Sequence, residues 1–444
     1  MRPNILFLMN DEHRFDVLGC AGNQVVRTPF LDQLAETGLV FDNAYTPSPI
    51  CIPSRQCLAM GQYPHTCNVR RYGEDLPPFS NTFADHFSRN GYLTVCAGKL
   101  HHMGRDQMQG WLRRIGDNTH VSPNFIDDYR ADPVKPLPGC GKWSQRKEIL
   151  RAGIGHGPNT HDTDAYALEG ALRFIEQHFC DSYYDRPGAH QPLMLKVSFN
   201  RPHYAFLTSE ERFAYYLNRV PVYADEPRFD HPVLGAEDLH VSTDSSLTER
   251  DLRRATAAYY GMVEETDADF ARLGRALEAV GQNLDEWIVV FTADHGDMLG
   301  EHAAWEKQKF FEGSVRVPLM IRWPKGFAGG RRIPQNVSLC DLYATFCDLA
   351  ALECPEGLDS RSLRPLLEGG NDLRWDNECL SHFGNGHLMI KRDELKYQCY
   401  GDDGPEVLFD LARDPLERIN FVDDVRYASD LEKLRRRRDS LGYY

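Results

Sequence analysis

Acidic and basic side chains gather just past the apolar runs of this 444-residue chain. Asp11 and Glu12 follow the run NILFLM, and Asp294 and His295 follow WIVVFTA. Carboxylates brought to one place repel one another unless a cation lies between them. A divalent metal meets that need. Oxygen-rich ligation favours Ca²⁺, with Mn²⁺ or Mg²⁺ as alternatives, over zinc. Acid positions alone leave a second reading open, in which these residues cap helices in ordinary strand-to-helix loops. Arg55, Lys99, His101, His203 and Lys307 make a second set, each in or beside a predicted loop. One at a time they read as surface residues. Together they form a shell of donors suited to a tetrahedral oxyanion such as sulfate or phosphate.

Cys51 opens the stretch Cys51-Ile52-Pro53-Ser54-Arg55. A thiolate nucleophile there would draw support from Arg55 and from a helix starting at Pro53, both of which lower a thiol pKa. A soft thiolate is a poor companion for a hard, oxygen-seeking cation, however. Conversion of Cys51 to an aldehyde, formylglycine, reconciles the parts. Its hydrate carries two hydroxyls on one carbon. One attacks sulfur or phosphorus, and the other then loses its proton and expels the inorganic anion.

These groups need a frame that brings many strand ends to one edge. The alternation of elements supplies it. NILFLM, YLTVCAG, PLMLKVSFN and EWIVVFTAD read as buried strands, and LVFDNAYT and VPLMIRWP as two more. Helices are predicted over TPFLDQLAETG, with Thr28 as cap and Gly38 as stop, and over TFADHFSRNG, HDTDAYALEGALRFIEQHF, residues 247–280 and SLCDLYATFCDLAAL. The pattern predicts an α/β fold: a mostly parallel sheet flanked by helices, with functional groups at the carboxyl ends of its strands. Residues 102–160 and 200–245 read as long irregular excursions near the site. Past Gly369 the texture changes to short strands, ECLSHF, HLMIKRD, LKYQCYG and EVLFDL, and a final helix. Two units are expected: a catalytic domain over 1–368 and a small antiparallel C-terminal subdomain over 369–444. The run Arg435–Arg438 reads as a solvated or subunit-facing surface.

Composition narrows the function. A net charge of −15 argues against broad nucleic-acid or membrane-surface binding. No apolar run reaches the roughly eighteen residues of a membrane span. The opening MRPNILFLMNDEHR is too short in apolar residues for a secretory signal. The 12 cysteines form no CxxC pair, so reduced thiols and a cytoplasmic location are expected.

The segment CIPSR, followed by GQYPH, resembles the sulfatase signature C-x-P-S-R, whose cysteine is oxidised to formylglycine after synthesis. PNILFLMNDEHR resembles that family's opening strand and metal acids, and GKLHH its G-K-x-H element. NRPHYAF resembles its P-H-x-P-F element, with Ala205 in place of the proline. FTADHGDMLGEHAAWEKQKF resembles its second metal segment with the W-x-K lysine, and EVLFDLARDP its C-terminal strand and turn. The resemblance runs from Pro3 to about Pro415 and implies the alkaline phosphatase-like fold.

It also implies roles. Asp11, Asp294 and His295 would be metal ligands, and Cys51, as formylglycine, both ligand and nucleophile. Arg55 would orient the hydrate. Lys99 and Lys307 would contact sulfate oxygens. His101 would take the proton of the second hydroxyl, and His203 would protonate the leaving group. Glu12 stands where many members have Asp and some Gln, and follows the other ligands in rank. His295 stands where many have Asn. The Asp-His pairing is shared by choline sulfatases and phosphonate monoester hydrolases. GKLHHMGRDQMQGW resembles the choline-sulfatase version of its region, which offers Trp111 to an aromatic box for a quaternary ammonium; packing on the core is the other reading for that side chain.

The expected reaction is hydrolysis of a small-molecule sulfate ester, with a formylglycine-generating maturation enzyme as partner and a homo-oligomer as an option. The alternatives are a phosphonate monoester hydrolase or phosphodiesterase on the same scaffold, or an inactive metal- or anion-binding relative. The last would lack a donor, and none is missing.

Overall fold

The computed structural model describes residues 2–116, 145–180, 191–224, 226–235, 247–369, 375–384 and 386–442. All candidate site residues lie within them.

The central apolar runs become strands buried on both faces. β1 (Ile5–Asp11) is buried along its whole length and pairs in parallel with β6 (Leu193–Pro202) and β8 (Ile288–Ala293). Around this core lie β2 (Leu39–Tyr45), β3 (Leu93–Gly98), β4 (Arg113–Ile115), β9 (Arg316–Val317), β10 (Leu319–Arg322) and β11 (Arg331–Ser338). The order is β11-β2-β10-β8-β1-β6-β3-β4, with β9 beside β2. β10 runs antiparallel to both neighbours. The sheet is therefore mixed but mostly parallel, as expected. β5 (Gly153–Ile154) and β7 (Leu207–Thr208) form a separate small ladder.

Successive side chains of a strand point to opposite faces. Leu6 and Leu8 pack with helices Pro29–Thr37, Thr163–Cys180 and Glu249–Ala279. Ile5, Phe7 and Met9 pack on the other face with Cys51–Met60, Phe83–Arg89 and Asp341–Leu349. The helix carrying position 51 is thus held against the sheet that carries the acids. Trp111 belongs to this second core layer, buried edge-to-face on Phe83 at 5.7 Å, and is not among the side chains lining the cavity that contains Cys51. The core reading fits this packing.

Several expectations need correction. The helix at Cys51 begins at Cys51 itself, two residues before Pro53. Thr28 caps no amide with its side chain. Asp267, from the long Glu249–Ala279 helix, accepts Phe30 N–H at 3.2 Å and Leu31 N–H at 2.8 Å instead. The excursions are less irregular than predicted: β4, helix Gln145–Arg151, β5, β7 and helix Glu210–Tyr216 interrupt them. These pieces are too short to show a period. Residues 117–144, 225 and 236–245 of the excursions lie outside the described residues.

The C-terminal strands match the predicted ones closely. β12 (Glu378–Phe383), β13 (His387–Arg392), β14 (Leu395–Tyr400) and β15 (Glu406–Asp410) form an antiparallel meander. Residues 370–374, beside the expected boundary, lie outside the described residues. The helix Ala428–Ser440 packs Leu431 and Leu434 on this sheet. The arginine run is divided: Arg436 is exposed and pairs with Glu432 at 2.9 Å, as a solvated surface would, while Arg435 and Arg438 pair with Glu406 and Arg437 with Glu378 at 2.7 Å. Lys396 joins the sheet to the larger body through Glu312, 2.8 Å away, within a shared cluster of Tyr45, Phe311, Phe409 and their neighbours. No helix among the described residues is long and apolar enough to cross a membrane.

Candidate active site

β1 and β8 are adjacent and parallel, with Asn10 level with Ala293. Asp11 ends the first strand, and Asp294 and His295 follow the second, so the three emerge side by side. All three are fully buried. The Asp294 carboxylate accepts the backbone N–H of Glu12 and of His295, each at 3.0 Å. The helix bearing Cys51 is pinned above them. Ser54 Oγ donates to the Asp294 carbonyl at 2.7 Å, and Thr46 Oγ1 donates to Ser54 at 2.9 Å. One helical turn past Cys51, Arg55 spans both acids. Its Nε donates to Asp294 Oδ2 at 2.7 Å and its Nη2 to Asp11 Oδ2 at 2.9 Å. Its Nη1 donates to the Lys99 carbonyl and to Ser198 Oγ. Arg55 is absent from the cavity wall, its hydrogen bonds turned to the two acids, Ser198 and the Lys99 carbonyl.

The result is a compact donor group. One atom each from Asp11, Cys51, Asp294 and His295 lies within 4.8 Å of the others. His295 Nε2 is 3.2 Å from Cys51 Sγ, and Asp11 Oδ1 is 3.8 Å from it. Two carboxylates, an imidazole and one further donor, fully buried, are a chemically suitable nest for a divalent cation. Burial pushes the Asp11 carboxyl up, but Lys99, Arg55 and the nearby histidines outweigh it and hold it well below the usual range. It is ionised, as a ligand must be. The Cys51 thiol moves the other way: burial, then Asp11, push it up to about 11.

The remaining groups ring a cavity of about 610 Å³ above Cys51. Lys99 follows β3, and its Nζ lies 2.8 Å from Asp11 Oδ2. His101 lies with φ at 62°, edge-to-face with Tyr72 at 5.8 Å. His203 follows β6. Its Nδ1 donates to the Tyr204 carbonyl at 2.9 Å, and its Nε2 lies 3.5 Å from Glu12 and 4.0 Å from Asp11. Lys307 Nζ donates to Glu12 Oε2 at 2.7 Å. Burial opposes the Lys307 charge, yet Cys51 and Glu12 raise its pKa well above the usual value. Burial, with Asp297 and Glu306, pushes Glu12 up against the pull of Lys307. Burial holds His101 and His203 well below the usual imidazole range, with Lys99 adding to it at His101 and Lys307 at His203.

Every candidate ligand and oxyanion donor therefore converges here, Trp111 alone lying apart in the core, although Glu12 sits with Lys307 and His203 rather than within the four-donor group. Other participants carried little signal. Tyr72, Glu148, Arg151, Asn159 and Glu306 line the same cavity. Asp164 bonds Asn200 and Arg201, through N–H groups at 2.6 and 3.0 Å, and so fastens the end of β6 before His203. Only Ser54, inside the CIPSR stretch, was within reach of motif reading.

Comparison with known proteins agrees with this geometry. The profile of the family described as "Sulfatase" matches residues 3–352, and that of "N-sulphoglucosamine sulphohydrolase, C-terminal" matches 300–441. The chain is 28% identical to an arylsulfatase of Clostridium perfringens, over 98% of this chain and 93% of that one. It is 29% identical to a choline-sulfatase of Rhizobium meliloti, over 99% and 86%. Among solved structures, the phosphonate monoester hydrolase of Agrobacterium radiobacter superposes with a TM-score of 0.78 at 25% identity, covering 99% of this chain and 95% of its own. Fold, buried donor group and family profile agree: this chain is an enzyme of the sulfatase family, built on the alkaline phosphatase-like fold.

Proposed function

We propose that the chain hydrolyses a sulfate monoester, R–O–SO₃⁻ to R–OH and sulfate, after a maturation enzyme converts Cys51 to formylglycine. The observation that carries this is the four-donor group at position 51 opening into a cavity ringed by Lys99, His101, His203 and Lys307. Asp11, Asp294, His295 and residue 51 would hold one divalent cation, best matched by Ca²⁺ with Mn²⁺ or Mg²⁺ as alternatives, which when bound supplies Lewis-acid polarisation of a sulfuryl oxygen. A formylglycine hydrate supplies paired hydroxyls, one to attack sulfur and one to release sulfate.

The protein's own residues do the rest. Arg55 keeps Asp11 and Asp294 at a fixed spacing. Lys99 and Lys307 bind sulfate oxygens and spread their charge, Lys307 beside the leaving oxygen. His101 takes the proton of the second hydroxyl. With its Nδ1–H on the Tyr204 carbonyl, the neutral ring that burial and Lys307 favour leaves Nε2 bare, so His203 serves the leaving oxygen as an acid once Nε2 takes up a second proton, which the Asp11 charge assists. The raised thiol pKa of Cys51 favours this scheme over a thiolate nucleophile.

A second reading, cleavage of phosphonate monoesters or phosphodiesters, draws support from the Asp294-His295 pair and from the likeness to a phosphonate monoester hydrolase. Comparative kcat/KM on an aryl sulfate, an aryl phosphonate monoester and a phosphodiester separates the two. Preference for the sulfate is expected. Equal or greater activity on the phosphorus esters would overturn the sulfatase assignment.

A further inference from the structure

Glu12 continues the acids at the end of β1, yet it points elsewhere. The four donor atoms gathered at position 51 come from Asp11, Cys51, Asp294 and His295, while Glu12 falls in a separate trio, with Asp11 and His203, whose donor atoms also lie within 4.8 Å of one another. Its backbone shows why. The Glu12 N–H, not its carboxylate, meets Asp294 Oδ1 at 3.0 Å. Its φ of 63° lies in the left-handed region, which a residue of this kind adopts only when its surroundings impose it. Tyr259 imposes it: its hydroxyl donates to the Glu12 carbonyl at 2.5 Å and accepts the Arg14 N–H at 2.8 Å. The side chain is then carried to Lys307, whose Nζ lies 2.7 Å from Oε2, and to His203, whose Nε2 lies 3.5 Å from the same oxygen. Asp297 adjoins the same carboxyl group.

We infer that Glu12 is a positioning residue for the leaving-group side of the site, holding Lys307 and His203 with one carboxylate oxygen, and not a ligand of the divalent cation. This rests on the sulfate-ester reading above for what the two held groups do. Tyr204 completes the clamp, with Lys307 over its ring at 5.3 Å and His203 Nδ1 on its carbonyl. The length of Glu matters here. Asp is one methylene shorter, and from this backbone it would fall short of Lys307.

The test uses the mature enzyme and its Glu12→Gln and Glu12→Asp variants. Each is stripped of metal and titrated calorimetrically with Mn²⁺, then assayed reloaded on aryl sulfates of graded leaving-group pKa. The expected result is unchanged metal affinity in all three proteins. Turnover of poor leaving groups should fall about 10–100-fold in both variants while good leaving groups are spared, and Asp should not rescue Gln. Weakened metal binding in Glu12→Gln that Asp restores would overturn the inference. So would a loss of rate uniform across leaving groups. A wild type without sulfatase turnover would instead sink the proposed reaction, and the metal titration would still decide whether Glu12 is a ligand.

Discussion

Cys51 is buried, its thiol is pushed up to about 11, and His295 and Asp11 crowd its sulfur. A thiol in that state is neutral near pH 7 and a weak nucleophile. Cys51→Ala should therefore abolish turnover, by more than about 10⁴-fold, because it removes the nucleophile in either chemical form. Its circular dichroism and melting temperature should stay close to wild type, since one small side chain is lost. Near-normal rates in that variant would exclude position 51 from the chemistry. His203→Ala should slow substrates with poor leaving groups by about 10²–10⁴-fold and barely touch activated ones. A Brønsted plot across aryl sulfates checks this, and an unchanged slope would remove the acid role. At this scale most of the site was readable from the sequence, because ligand and donor types recur just after apolar runs. What could not be read was direction. Nothing in the letters says that Arg55 spends its hydrogen bonds on Asp11, Asp294, Ser198 and the Lys99 carbonyl, or that Glu12 turns to Lys307.

Strand ends carry the site, so the close approach of one strand to the next decides where a side chain lands. Gly98 ends β3 with φ at 87°, and a Cβ there would lie 2.0 Å from the Ser198 carbonyl oxygen. The next residue, Lys99, donates its N–H to that same oxygen at 2.8 Å. Gly98→Ala must break the approach and displace Lys99 from Asp11. We expect a loss of about 3 kcal/mol in urea unfolding, from strain and clash together, and a fall in kcat/KM beyond what the stability loss explains. Wild-type stability in that variant would show that the β3–β6 approach is loose. Strands and long helices were readable because their apolar patterns are long. Thr248 caps the longest helix, with the Asp251 carboxylate returning the bond. The Pro29–Thr37 helix shows the limit. Its cap comes from Asp267, far along the chain, and local sequence cannot announce a tertiary cap.

On the scale of the molecule, the alternation of apolar runs pointed to the α/β body, and the texture past Gly369 to the antiparallel sheet. The contact between them was not readable, because it is made of scattered residues. One of these, His302, stacks on Phe311 at 3.9 Å beside Lys396 and Arg418. Burial, then those cations, lower its pKa to about 4 from 6.5. The unfolded chain therefore binds this proton first as pH falls. The stability it contributes is complete above about 6.5 and is lost as pH drops through about 4, at most about 3 kcal/mol. Urea unfolding at pH 7.5 and pH 5 should show that decline, and His302→Asn, a residue suited to the φ of 52° here, should flatten it. An equally steep decline in the variant would assign the acid sensitivity to other groups. The whole assembly, with sheet, helix and second sheet closing around position 51, has one chemical purpose in this reading: to present an aldehyde hydrate to a sulfate ester. The direct measurement is the fraction of formylglycine at position 51, by peptide mass spectrometry, against aryl sulfate turnover in the same preparations with graded maturation. Turnover rising in proportion to the aldehyde and vanishing with it is the expected result. Full turnover from protein that carries only the Cys51 thiol would contradict it.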